Sequence, residues 1–313
     1  MATNNHEISE QQRRRQRINR MKTGIILTIA IWMLVSFLAI VVLSVLVIRL
    51  NIQINDMVKT ESVLPGNNSE VDSSNSGSSE SNPNRFDNIV TGIDTEDNFA
   101  TTGDVHNVYL TFNSVPGDNT KAILDVLAQY NVKATFFVVG SEEEGVAEIY
   151  QRIVNEGHTI GMHSYSNKYS SVYSSTNAFK QDYQKLSDYI YASTGVRSAY
   201  YRFPGSSGND ISNISMAEFV YILNQEGITY FDWNVSAGDA VNGYTVQEVL
   251  EQVLTGVSKY KTSVVLLHDN ENKSTTVEAL GTLITQLQSQ GANILPIDED
   301  TYKIQYIKAE SVK

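Results

Sequence analysis

Five short apolar runs in this chain each end on polar residues that could act on a ligand. Phe112 is followed by Asn113-Ser114, Met162 by His163, Tyr201 by Arg202, Trp233 by Asn234 and Leu267 by His268-Asp269. Imidazoles can carry a proton or hold a metal. A guanidinium can orient or bind an anionic group, and amides and hydroxyls can hydrogen-bond a polar ligand. The pair at 113–114 is uncharged. An amide has no useful basicity, and a neutral Ser hydroxyl is a poor substitute for a carboxylate ligand.

These residues need elements to bring them together. Beyond Val105, short apolar runs alternate with amphipathic stretches, the pattern of strands separated by crossover helices. The spacing predicts strands over Val108–Phe112, Ala134–Val139, Thr159–Met162, Ala199–Arg202, Thr229–Trp233, Ser263–Leu267 and Asn293–Pro296. It predicts helices over Asn119–Tyr130, Glu142–Glu156, Ala178–Ser193, Ser215–Glu226, Val246–Tyr260 and Thr276–Ser289. Either an open doubly wound sheet or a (β/α) barrel follows. In both, the carboxyl ends of parallel strands form the ligand face, so the five polar strand ends should share one pocket.

The strings "TFNSVP" (111–116), "GHTIGMHSYSN" (157–167), "RFPGSSG" (202–208), "FDWNVSAGDA" (231–240) and "VVLLHD" (264–269) occur in an order that resembles the polysaccharide deacetylases of the fourth carbohydrate esterase family, the NodB homology domain. The resemblance implies an α/β fold, a distorted (β/α) barrel, over residues 105–313. It also implies removal of acetyl groups from N-acetylated glycans with a divalent metal. By the same resemblance Asn113 stands in place of the base Asp. Ser114 and Asn167 stand in place of metal ligands, leaving His163 as the one expected ligand retained. Val115 replaces a Gly, and a β-branched residue would be strained at positive φ. His268 takes the general-acid position and Arg202 the position that orients the base. With the base replaced, Arg202 is expected to be free to contact ligand. The companion carboxylate of His268 aligns to Ser236. Pro204, Tyr165 and Trp233 are expected to line the sugar site, the two aromatics by stacking.

Two functional readings follow. In one the domain is a pseudoenzyme that binds an N-acetylated glycan such as peptidoglycan, with no cofactor. In the other it is an active amide hydrolase using a divalent metal such as zinc held by non-standard ligands, for which Asp118, Asp239, Asp269 and His268 are the nearest candidates.

The remainder of the chain concerns placement. Residues Gly24 to Ile48 carry no charge and are long enough for a single membrane-spanning helix. Arg13, Arg14, Arg15, Arg17, Arg20 and Lys22 precede the span, whereas Arg49 and Lys59 follow it. The tail 1–23 is therefore expected in the cytoplasm, with everything after the span outside. Residues 49–104 read as a flexible stalk, since Leu64 to Asn84 is rich in Ser, Asn, Gly and Pro. The chain has 313 residues, no cysteine and a formal charge of −12, and 7 of its 23 basic side chains lie in residues 1–50. So acidic a remainder excludes nucleic acid as a partner.

Overall fold

A computed structural model of the chain describes residues 98–240, 243–271 and 274–312. The basic tail, the apolar span Gly24–Ile48 and the Ser-rich stretch 64–84 lie outside the described residues. Among those described, no helix is long and apolar enough to cross a membrane.

The strands are β1 (Asn107–Ser114), β2 (Thr135–Val139), β3 (Thr159–Ser164), β4 (Tyr200–Tyr201), β5 (Thr229–Tyr230), β6 (Val235–Ser236), β7 (Thr262–His268) and β8 (Asn293–Ile294). The helices between them are α1 (Asp118–Gln129), α2 (Val146–Asn155), the single turn α3 (Tyr169–Val172), α4 (Thr176–Thr194), α5 (Met216–Gln225), α6 (Val246–Val257) and α7 (Ser274–Ser289). Strand order is β5-β4-β3-β2-β1-β7-β6, every pairing is parallel, and β8 pairs with the start of β1. The result is an α/β half-barrel of parallel strands.

Helix sits between strand and strand except at one place. The chain crosses from edge strand β5 to edge strand β6 directly through residues 231–234. Phe231 N there donates to Tyr201 O (3.0 Å) and Asn234 N to Val264 O (3.2 Å), while Asp232 N is taken by Ile304 O of the C-terminal segment (2.8 Å). Those diverging partners are why the strand expected over Thr229–Trp233 stops at Tyr230 and why β6 forms as a separate short strand. The helix expected from Glu142 begins only at Val146, because Gly145 is in the left-handed region at φ 87°. At α6 the start is set by a capping box in which Thr245 and Glu248 satisfy each other's backbone amides.

The central strands are buried on both faces, which accounts for their nearly continuous apolar sequences such as TFFVV in β2 and the VVLL of β7. Side chains alternate between two clusters. Val108, Leu110, Phe112, Phe136, Val138, Val265 and Leu267 pack outward with the helices. Tyr109, Phe137, Val264 and Leu266 pack inward with Phe231, Trp233, Ile297 and Ile304. This phase decides which strand-end residues can meet.

The folded domain also takes in residues that read as stalk. Asn98 donates to Thr262 O (3.0 Å) and accepts from Thr262 N (2.9 Å), so its side-chain amide pairs with β7 as a strand residue would.

Candidate functional site

Counting along β1, positions 109, 111 and 113 face inward. On β7 they are 264, 266 and 268, and Asn113 and His268 are register partners. On β3, Gly161 lies against Phe137, where a Cβ would sit 2.5 Å from the ring. The β2–β3 register slips between Val138 and Val139, opposite His163. Two residues on from Gly161, His163 falls on the same inner face by strand alternation. His268 is close enough to His163 that a charge on it would help to lower the His163 pKa. Asn113, His163 and His268 are thus gathered at the carboxyl end of the sheet, as the sequence leads one to expect.

Arg202 lies beneath them, and it is not free. It is fully buried: Nε donates to Phe231 O (3.0 Å), Nη1 to Thr111 Oγ1 (2.8 Å) and Asn113 Oδ1 (3.3 Å), and Nη2 to Asp232 O (3.2 Å). Its guanidinium lies 4.2 Å from the centroid of Phe137, and burial lowers its pKa to about 9. The expectation that Arg202 contacts ligand is therefore corrected, because its donors are directed at protein oxygens. Its own carbonyl accepts from His163 Nδ1 (2.8 Å), and burial holds that imidazole down to about 4.

Ser114 is in the opposite phase from Asn113, so its side chain goes to the helix side of the sheet. There it donates to Asp269 Oδ2 (2.5 Å), which also accepts from Thr120 Oγ1 (2.7 Å), while Asp269 Oδ1 takes Val115 N (2.9 Å). The carboxyl of Asp269 is pushed up to about 6 by burial. Val115 does not adopt a positive φ, so the strain expected from a β-branched residue at that turn is absent. The other ligand stand-in, Asn167, is exposed beyond the end of β3 and in the left-handed region at φ 50°. His163 lies on β3, which runs to Ser164, and an irregular bend carries the chain on to Asn167.

His268 has its carboxylate, although not at the expected place. Asp239 Oδ1 lies 2.8 Å from His268 Nδ1, and Asp239 Oδ2 accepts from His268 N and from Thr276 Oγ1, each at 2.8 Å. The aligned residue Ser236 instead accepts from Gly238 N. A turn with Gly238 at φ 71° carries the chain back and delivers Asp239. Asp239 lies three residues beyond the aligned position, within the same "FDWNVSAGDA" string.

Of the expected sugar-binding residues, Trp233 and Pro204 are buried and Tyr165 is half-buried. Trp233 is 5% exposed, packed in the inner cluster with its ring 5.7 Å from that of Tyr306. Pro204 is buried and holds its turn, its carbonyl accepting from Tyr173 Oη (2.8 Å). Tyr165 sits at the rim. Its hydroxyl donates to Glu142, Lys185 Nζ lies 3.7 Å from its ring centroid, and a Cβ on Gly140 would sit 2.4 Å from Cδ2. One residue that sequence reasoning missed holds this loop. Asp182 of α4 accepts from Ser164 Oγ, Tyr165 N and Ser166 N at 2.8–3.0 Å.

The resemblance implies a divalent metal, and the residues present do not fit one. His163 offers a lone pair at Nε2, but Ser114 faces away with its hydrogen on Asp269 and Asn167 is a solvent-exposed carboxamide. Asp118, a candidate replacement, has a 96% exposed side chain paired with Lys121. Asp269 is held by three donors and Asp239 by His268 and Thr276.

A family model for polysaccharide deacetylase matches residues 100–229. The chain is 30% identical over 188 residues to the putative polysaccharide deacetylase YheN of Bacillus subtilis, covering 59% of this chain and 64% of YheN. It therefore spans slightly less than two thirds of that relative. Among solved structures it is similar to the catalytic domain of peptidoglycan N-acetylglucosamine deacetylase from Eubacterium rectale, at 35% identity and TM-score 0.61 over 66% of this chain and 95% of that one. It is also similar to BA3943, a CE4 family pseudoenzyme from Bacillus anthracis, at 27% identity and TM-score 0.54 over 63% of this chain and 67% of that one. A mutant of BA3943 with restored enzymatic activity matches at 26% and 0.53 over 63% of this chain and 70% of that one. The parallel half-barrel, the ordered motifs at its strand ends and these likenesses agree: the chain belongs to the polysaccharide deacetylase family.

Proposed function

We propose that this protein is a membrane-anchored, extracellular member of the family whose barrel binds an N-acetylated envelope glycan, of the peptidoglycan kind, without hydrolysing it. The observation that carries the reading is the bonding of the first motif. Asn113 Oδ1 accepts from Arg202, and the Ser114 hydroxyl donates to Asp269. Hydrolysis of an acetamide near neutral pH requires a water deprotonated by a metal and a carboxylate base acting together. Neither side chain supplies a base, and among the described residues no cluster of three or more His, Cys, Asp or Glu is arranged to hold an ion. The likeness to a pseudoenzyme of the same family supports the reading, and the likeness to a peptidoglycan N-acetylglucosamine deacetylase supports the choice of glycan. The anchor rests on the uncharged span Gly24–Ile48 and the basic residues before it.

The full chain in detergent, incubated with N-acetylglucosamine oligomers, is expected to release no acetate and to carry no stoichiometric zinc, cobalt or nickel by elemental analysis, while binding the oligomers in calorimetry. Acetate release abolished by a chelator and returned by added metal would overturn it and establish the hydrolase with non-standard ligands.

A further inference from the structure

The hydrogen-bonding sense of each group at the end of the barrel is fixed by a partner that can act in only one way. A guanidinium only donates, so the Asn113 atom 3.3 Å from Arg202 Nη1 is the carbonyl oxygen, and the amide NH2 is left for a ligand. A main-chain carbonyl only accepts, so His163 Nδ1, 2.8 Å from Arg202 O, carries the hydrogen and Nε2 is left as a lone pair. The Asp239 carboxylate makes His268 Nδ1 a donor in the same way and leaves Nε2 directed away from the protein. No described residue is bonded to Asn113 Nδ2 or to either Nε2. His163 is buried to more than nine-tenths, and the His268 side chain keeps 23% of its surface exposed, so the set is recessed but reachable.

Building on the glycan-binding reading above, we infer that this pocket recognises the intact acetamido group of a sugar through one fixed donor, Asn113 Nδ2, for its carbonyl and one fixed acceptor, His163 Nε2, for its N–H, and discriminates against the deacetylated amine. An acetamide presents one carbonyl acceptor and one N–H donor, the complement of an amide NH2 beside an imidazole lone pair. An ammonium presents three donors and no acceptor. It would leave the Asn113 NH2 facing a cation, above a buried guanidinium whose direct partners include no carboxylate oxygen. Arg202 thus serves as the positioning residue for both groups at once, through its side chain for Asn113 and its backbone for His163. The exchange of Asp for Asn at 113 turns what would be a base into a reader of its own substrate group.

The test uses the full chain in detergent with a tetramer of N-acetylglucosamine and the fully deacetylated tetramer, titrated by calorimetry. The acetylated tetramer is expected to bind at least tenfold more tightly. Asn113→Asp keeps the shape, replaces the donor by an acceptor and pairs with Arg202. It should weaken the acetylated tetramer at least tenfold and leave the deacetylated one unchanged or tighter, with no fall in the thermal transition. If that variant is destabilised, Asn113→Leu, which removes the donor without adding charge, takes its place with the same tenfold loss expected. Equal affinity of the wild-type chain for the two tetramers, or retained acetylated preference in the variants, would refute the inference while leaving the glycan-binding reading standing. Binding of neither tetramer would refute that reading itself.

Discussion

His158 illustrates how one imidazole couples this domain to pH. Its Nδ1 accepts from Ala134 N at 3.1 Å, a bond that only the neutral ring can make in this sense. Its Nε2 lies 3.8 Å from Glu156 Oε2, too far for a hydrogen bond to stabilise the cation. Burial, reinforced by Lys133, lowers its pKa to about 4 from an ordinary 6.5. The folded state therefore takes up the proton later than the unfolded chain. The stability due to the neutral ring is fully present above pH 6.5 and is lost as pH falls toward 4. His163, lowered to about 4 by burial, acts in the same direction. Each is expected to cost roughly 2 kcal/mol by pH 5. His158→Gln keeps an acceptor for Ala134 N but cannot titrate. In urea unfolding at pH 7 and pH 5, the wild-type chain should lose about 2 kcal/mol more than the variant, and parallel losses would show that His158 does not couple folding to protons.

At the scale of the element, the segment between β5 and β6 does what a strand and helix do elsewhere in the barrel. Its Trp233 fills the inner cluster with Phe231 and Tyr109, so Trp233→Ala should destabilise the domain by about 3–5 kcal/mol, read as a fall in the urea midpoint. A variant of unchanged stability that bound sugar less well would restore the stacking role that the sequence suggested. That contrast marks what was legible. The strands and helices could be placed from period and propensity because β1, β2 and β7 are apolar on both faces and α1, α2 and α6 on one. The strand-end residues could be placed for the same reason. What could not be read was direction. Asn113 and Ser114 are adjacent in sequence, yet the two-residue period of a strand sends one to the pocket and the other to Asp269. Nor does a sequence show that the turn at Gly238 delivers Asp239 to His268, or that Asp182, in mid-helix, holds the loop after β3. These are contacts across 29 and 17 residues, set by the packing of whole elements and by no local pattern.

For the whole molecule the proposed anchor implies a side of the membrane for the barrel, and the charge distribution supplies the argument. Residues 1–50 hold 7 of the 23 basic side chains and only 2 of the 35 acidic ones, which leaves the rest of the chain strongly acidic. Basic residues crowded before an uncharged span favour retention of that end in the cytoplasm, and acidic residues contribute little to the choice. The proposed binding of envelope glycan also needs the barrel on the glycan's side, so charge and proposed function favour the same orientation. The site of release follows from composition and fold together. Residues 64–84 have few apolar side chains to bury, whereas Asn98 is tied to β7 through both ends of its amide. A protease added to cells with permeabilised walls and intact membranes should therefore cut between Leu64 and Asn84 and release a soluble fragment that retains Asn98. That fragment should unfold at the same temperature as the barrel of the uncut chain. Protection of residues 64–84 until the membrane is breached would place the barrel inside the cell and remove the envelope glycan from its reach.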